Sequence, residues 1–306
     1  MRALVTGGAG FVGSHLVDRL LAEAHKVDVV DDLSGGSLAN LAAARAEATR
    51  TGGELKFHHV DVRSRDLADL VVRRRPDVVF HLVVPPPGLA ERAATDLVFA
   101  AATAIIDASL RAGAAKLVVG LDAADLYGAV PSGELPVKDG RVWQPRTPVG
   151  VAERAVADLL SVTRERHDLE FTGLAFSNVY GPRQPASRGV VAAFTTAAAT
   201  GTPAVIHGDG RQTRDFLYVD DAVDACVRAA QRGGGLVVNV GTGTQTTIRE
   251  LHQRIALGGP PATFTGGRPG EIGRFAVSPA RARIHLSWAP WTSLDEGLAQ
   301  VRRHTG

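Results

Sequence analysis

Cysteine occurs once in the 306 residues, at Cys226. A single cysteine excludes an intramolecular disulfide and any multi-cysteine metal centre, and no metal site is expected. Cys226 lies in the apolar-periodic stretch from Ala222 to Ala230, so it reads as a small core residue rather than a nucleophile. An excess of one charge sign is also missing. Lys and Arg number 34 against 32 Asp and Glu, a net charge of +2. No run reaches five or six like charges, which argues against nucleic acid or an anionic membrane surface as partner. Arg73-Arg74-Arg75 is short and fits a solvated helix end. No uninterrupted apolar run is long enough to span a membrane, and no charged leader with a cleavage site precedes the first strand pattern. The expectation is a soluble, cytoplasmic protein. Two further scarcities matter later: the chain has three tyrosines (Tyr127, Tyr180, Tyr218) and four lysines (Lys26, Lys56, Lys116, Lys138).

What is present is ordinary globular composition, 45% hydrophobic and 22% charged, in a length that suits one α/β domain carrying a smaller lobe. Strand-like runs at Arg2 to Thr6, Lys26 to Val30, Leu55 to His59, Val78 to Val83, Leu117 to Gly120 and Phe171 to Phe176 alternate with helix-length segments. The helices are expected over Gly13 to Ala24, Ser64 to Arg74, Ala93 to Ala112 and Val151 to Arg166. That alternation predicts an α/β fold of Rossmann type, a doubly wound parallel sheet with helices on both faces. Residues 181–215 and 258–280, rich in Gly, Pro and Arg, read as long loops. A late strand at Leu236 to Val240 is expected to return to the sheet. There are no internal repeats.

The segment LVTGGAGFVGSHLVDRLL runs a strand into Gly7, Gly10 and Gly13 and opens a helix. Gly7 permits a tight turn, Gly10 lets backbone approach a pyrophosphate, and Gly13 lets helix and strand pack closely. The helix start, with Phe11 and Val12, offers free N–H groups and a favourable dipole to an anion. About 20 residues on, the second strand ends in Asp31-Asp32. A carboxylate there accepts the ribose hydroxyls of adenosine and repels a 2′-phosphate, which favours NAD over NADP.

With these motifs on the page, the chain resembles the extended short-chain dehydrogenase/reductases, specifically the NAD-dependent nucleotide-sugar epimerases and dehydratases. The resemblance runs through VVDDLSGG, HHVDVRS, PDVVFHL, SNVYGPRQ, HGDGRQTRDFLYVDDAVDA, VVNVGTGTQTTIREL and the segment from GRPGE to DEGL. It therefore covers essentially the whole chain. It implies NAD as cofactor, with Asp61 and Val62 at the adenine and Leu82 beside the cofactor. It implies an NAD-binding domain over residues 1–177, to which 212–242 return, and a smaller C-terminal nucleotide-sugar lobe formed by 178–211 and 243–306. Arg214 and Arg268 match diphosphate-contacting arginines, whose planar forks suit phosphate. Asn178 matches an amide near the diphosphate and nicotinamide. Phe216 and Tyr218 follow Arg214 at alternate positions, as on a strand facing the base. Asp220 and Asp221 are expected to cap the next helix. The family also implies a homodimer formed through two helices, one of them the helix of the segment TPVGVAERAVADLL.

In that family a Tyr-x-x-x-Lys pair lies one helical turn apart, and the Lys charge helps the Tyr hydroxyl act as a base. A Ser or Thr from the preceding strand completes the set. Here Val149 stands at the Tyr position, Glu153 at the Lys position and Ala123 at the hydroxyl position. Further departures are the prolines of HLVVPPPG, Phe99 at an expected Asn, and Ala175 in place of a common Arg. His81 reads as a structural strand residue. The remaining chemistry is acidic: Asp122, Asp125 and Glu153 are expected to face the place where nicotinamide and sugar meet, each raising the others' pKa. Capping for the two aspartates, and a solvated helix face for Glu153, are the plainer alternatives. Two functional readings follow. One is an epimerase or dehydratase acting on a UDP- or dTDP-sugar with non-standard acid/base groups. The other is a protein of the same fold that binds NAD and a nucleotide sugar, or another small molecule, without a redox step.

Overall fold

A computed structural model of the chain describes residues 1–268 and 270–305. In chain order the first half runs β1 (Arg2–Thr6), α1 (Phe11–Ala22), β2 (Lys26–Asp31), α2 (Ala42–Thr51), β3 (Leu55–His59), α3 (Asp66–Arg74), β4 (Val78–His81) and α4 (Glu91–Ala112). It continues through β5 (Lys116–Asp122), α5 (Ala123–Tyr127), α6 (Pro148–His167), β6 (Glu170–Phe176) and β7 (Asn178–Tyr180). Then come α7 (Val190–Thr200), β8 (Val205–His207), β9 (Thr213–Arg214), β10 (Phe216–Tyr218), α8 (Val219–Ala229) and β11 (Leu236–Val240). The chain closes with β12 (Thr246–Thr247), α9 (Ile248–Ala256), β13 (Thr263–Thr265), α10 (Ala280–His285) and α11 (Leu294–Thr305).

Seven strands form one sheet in the order β11-β6-β5-β4-β1-β2-β3, every pair parallel. Parallel strands covered on both faces read as continuous apolar runs, as β4 and the middle of β1 and β5 do, while the edge strand β3, LKFHH, does not. Alternation within β1 divides the core. Ala3 and Val5 join a cluster under α1 and α8 with Leu16, Leu20, Ala222 and Cys226. Leu4 joins the opposite cluster with Leu67, Ile105, Val156 and Leu160 of α3, α4 and α6. Cys226 is fully buried, and burial pushes its thiol up to about 12. His81 is buried against the hydroxyl of Thr6 at 2.8 Å, and burial lowers its pKa to about 4, a structural role.

The parallel sheet and the return of β11 beside β6 agree with the expectation. The loops do not. Residues 181–215 contain α7, β8 and β9, and 258–280 contain β13. The apolar run from Val190 to Ala199 had been masked by its Gly- and Pro-rich flanks. Helix α8 begins at Tyr218 without a side-chain cap. Asp221 instead accepts the backbone N–H of Thr292 at 3.1 Å and its hydroxyl at 3.0 Å, tying the C-terminal segment down. Among the described residues, α4 is the one helix long and apolar enough to cross a membrane. In the fold its buried stripe, including Leu97, Ala101 and Ile105, packs against α3 and α6.

The β1–α1 turn sets the geometry at the sheet's C-terminal edge. Gly7 has φ +72°, and its amide donates to Val30 O at 2.9 Å. A Cβ at Gly13 would overlap the carbonyl oxygen of Gly7 and the Cα of Gly8. Gly13→Ala is expected to destabilise the fold by about 1–3 kcal/mol through overpacking. Gly140→Ala, where a Cβ meets open space, is expected to stay within about 0.5 kcal/mol. Denaturant unfolding measures both, and equal losses would contradict this role for Gly13.

Candidate active site

In an open parallel sheet the crevice lies beyond the strand C-termini where the order reverses, here between β1 and β4. A cleft of about 350 Å³ occupies that place. Helix α1 points its N-terminus into it: the N-cap is Gly10, no side chain caps the first turn, and no acidic residue lies there. Uncapped N–H groups and a positive dipole end form a site for an anion. Gly7, Gly10, Phe11, Val12, Gly13, Asp31, Asp32, Asp61, Val62 and Leu82 all line this cleft.

At the β2 end, Asp31 is buried and accepts Ala9 N–H at 2.9 Å and Leu33 N–H at 2.8 Å. Burial raises its pKa, and those two donors oppose the rise. Asp32 accepts the amide and hydroxyl of Ser34 at 2.9 and 2.6 Å. Asp61 is held by Arg63 at 2.6 Å, and that hydrogen bond lowers its pKa.

The opposite end carries Asp122 and Glu153. Thr147 caps α6 by accepting Gly150 N–H at 2.9 Å, and Pro148 starts the helix. Gly150 packs against the carbonyl of Asp125 so closely that a Cβ would overlap it. This close approach of α6 to α5 carries Glu153 to the end of β5. Its Oε2 accepts the backbone N–H of Asp122 at 2.8 Å. Glu153 is 8% exposed and has no cation within ion-pair distance among the described residues. Burial raises its pKa well above the usual range, and the charges of Asp122 and Asp125 add to the rise. Asp122 caps α5: its Oδ1 accepts Ala124 N–H at 2.7 Å and Asp125 N–H at 3.1 Å. Its side chain opens to the cleft, yet the surrounding protein still raises its pKa, with the charge of Asp125 second. Asp122 thus caps α5 and also lines the cleft.

Several expected site residues lie elsewhere. Asp125 does not line the cleft, because the first turn of α5 directs it to α6, where it accepts the Thr147 hydroxyl at 2.8 Å. Phe99 is 42% exposed on the outer face of α4, and Leu97 of the same helix reaches the cleft instead. Ala123 is buried, and Val149 is not in the lining. Asn178 and Phe216 do line the cleft. The rings of Phe216 and Tyr218 are buried against Tyr180, at 6.3 and 5.6 Å. Arg214 stands outside the lining, bonded to Glu271 at 2.8 Å and to the carbonyl of Ile272. Arg268 is exposed and close enough for its charge to act on Arg214. No lysine lines the cleft, and Tyr180, which does, donates its hydroxyl to Leu294 O.

Sequence reasoning passed over Ser177, Gln184 and Arg188, all in the lining. Each has a buried polar atom with no protein partner: Ser177 Oγ, Gln184 Oε1 and Arg188 Nε. Orphaned atoms converging on one cleft fit a polar ligand with its own donors and acceptors. Ser177 and Gln184 are the first and last residues of the SNVYGPRQ motif, a signal that was available. Asp215, also passed over, is buried and accepts the N–H groups of Thr242, Gly243 and Val277, which fixes the loop after β11.

The sheet order, the glycine turn and the acid at the end of β2 define a Rossmann-type dinucleotide-binding fold. Residues 3–241 match the model of the NAD dependent epimerase/dehydratase family. The chain belongs to that family. It is 38% identical to a UDP-glucose 4-epimerase of Mycolicibacterium smegmatis, over 98% of this chain and 97% of the relative. It is 29% identical to a dTDP-glucose 4,6-dehydratase of Actinoplanes, over 98% and 96%. The Thermotoga maritima UDP-glucose 4-epimerase structure with UDP-glucose superposes with a TM-score of 0.92 at 30% identity, covering 99% of this chain and 98% of that one. The Thermus thermophilus UDP-glucose 4-epimerase complex with NAD gives 0.90 at 30%, covering 100% and 99%.

Glu153→Gln tests the electrostatics. A carboxyl whose folded pKa is raised contributes stability below its unfolded pKa and loses it as pH rises through the folded value. Gln keeps an acceptor for Asp122 N–H and never ionises. The variant is therefore expected to melt higher than the parent at pH 8, with the gain vanishing as pH falls toward 4.5, the ordinary value for Glu. Thermal melts across that range check this, and a pH-independent difference would contradict it.

Proposed function

We propose that the chain binds NAD across the glycine turn and catalyses an epimerase- or dehydratase-type reaction on a UDP- or dTDP-sugar, with Asp122 as the acid/base group. The observation that carries this is the placing of Asp122 and Glu153 in one cleft with the glycine turn and Asp31. Asp31 and Asp32 take the adenosine ribose, and Asp61 and Val62 border the adenine. A dinucleotide laid this way extends its nicotinamide toward Asp122 and Glu153. The residues around 178–211 and 243–306, with Asn178, Arg214 and Arg268, receive the nucleotide sugar.

NAD, when bound, supplies a hydride acceptor. Asp122 Oδ1 is fixed by two backbone N–H groups, which leaves Oδ2 for a sugar hydroxyl. Its raised pKa brings it nearer the working pH of a general base. An aspartate remains weak against an alcohol, so proton and hydride leave together: the O–H bond breaks toward Oδ2 while the C–H electron pair departs from the same carbon. Glu153, whose pKa burial raises, positions Asp122 by accepting its backbone N–H.

A second reading has its own observation. A carboxyl stands where the family has lysine, and no tyrosine hydroxyl is free in the cleft among the described residues. On that reading the chain binds NAD and a sugar nucleotide without a redox step. The exposed apolar residues Phe99, Val151 and Val162 on α4 and α6 support a homodimer through those helices. The lone buried cysteine suits a cytoplasmic protein.

Asp122→Asn is expected to lower turnover of the active UDP- or dTDP-hexose by about 10²–10⁴-fold while copurified NAD is unchanged. Asp125→Asn, outside the cleft, is expected to lose far less. Full activity in Asp122→Asn removes its acid/base role. A parent protein that binds NAD and sugar nucleotide yet forms no product supports the second reading. Val151→Glu combined with Val162→Glu is expected to give a monomer by light scattering, and an unchanged mass would remove the proposed interface.

A further inference from the structure

The ionisable side chains lining the cleft are strongly biased. Asp31, Asp32, Asp61, Asp122 and Glu153 are carboxyl residues, and among the described residues Arg188 is the one basic side chain. Arg188 ends the short 3-10 turn Ala186–Arg188, which leads through Gly189 into α7. Its Nη2 donates to the carbonyl of Pro85, the first of the three consecutive prolines after β4. Proline rings restrict that backbone, so the acceptor is held in place. Its Nε is buried with no partner. Burial is the one influence acting on its pKa, which it lowers, and no carboxylate compensates. Keeping an unpaired, partly dehydrated cation is costly unless an anion arrives to meet it.

The position says which anion. Arg188 Nη2 lies 3.5 Å from where a Cβ on Gly35 would stand, and a Cβ on the next residue, Gly36, would press on Ala9 and Gly10 of the glycine turn. The guanidinium thus sits beside the turn, between the ends of β2 and β4 and away from Arg214 and Arg268. The turn itself offers N–H groups but no formal charge.

We infer that Arg188 is the charged contact for the cofactor's diphosphate, closing the triple-proline loop and the Gly35–Gly36 loop over it. This rests on the NAD reading above. It also gives the proline insertion a function: Pro85 O orients the guanidinium.

Isothermal titration of the full chain, freed of copurified nucleotide, with ADP, adenosine and UDP tests this. For Arg188→Gln, ADP affinity is expected to fall about tenfold or more, the scale of a lost charged hydrogen bond. Adenosine and UDP affinities are expected to stay unchanged, and Arg188→Lys is expected to recover part of the ADP loss. Equal losses for ADP and adenosine would overturn the inference by making Arg188 a structural strut. A loss confined to UDP would overturn it by moving the contact to the sugar nucleotide. A variant that binds all three like the parent also overturns it and leaves the NAD reading standing. If the parent binds neither NAD nor ADP, the NAD reading itself fails, and the inference with it.

Discussion

The hydrogen bond from Asp122 N–H to Glu153 Oε2 is the constraint on which the β5 end of the cleft depends. It joins the last residue of β5 to the second turn of α6. It forms because Gly150 lets α6 approach α5 without a Cβ between them. A buried acid normally needs a cation. Asp28, at the opposite edge of the sheet, shows the usual solution: it is fully buried with Arg74 at 2.6 Å, His58 at 2.9 Å and Arg2 at 3.2 Å. Glu153 has none of these among the described residues, so burial favours its neutral form and raises its pKa. A neutral carboxyl here can hold backbone without adding a second negative charge beside Asp122.

The cleft consequently has a gradient of function along its length. Near β2 the acids are held by backbone amides, a hydroxyl or Arg63. In the middle, helix α1 and Arg188 provide the positive field. At the β5 end, burial raises the pKa of both Asp122 and Glu153, and the charge of Asp122 adds to the rise at Glu153. A dinucleotide with a diphosphate between two ribosyl groups matches that sequence of charges in order.

Much of this was legible in the sequence, for physical reasons. Continuous apolar strands alternating with amphipathic helices admit few arrangements other than a covered parallel sheet. The glycine turn is legible because each glycine answers a local steric demand. Glu153 draws attention because it stands at the Lys position of the family, and Asp122 because it adjoins Ala123 at the hydroxyl position. Asp125 was misplaced because one residue of shift at a helix N-terminus turns a side chain by about 100°. Arg188 was invisible because its role depends on Pro85 and Gly35, each far away in sequence. Helix α7 was hidden by composition: its flanks are Gly- and Pro-rich, and loop signals there outweighed its apolar run.

The most direct measurement is the absorbance spectrum of the purified protein, with its bound nucleotide identified by mass, before and after addition of UDP- and dTDP-hexoses. The account predicts bound NAD and growth of the reduced-nicotinamide band with at least one of these sugars, abolished in Asp122→Asn. Bound NAD that stays oxidised while the sugar nucleotide binds would contradict it.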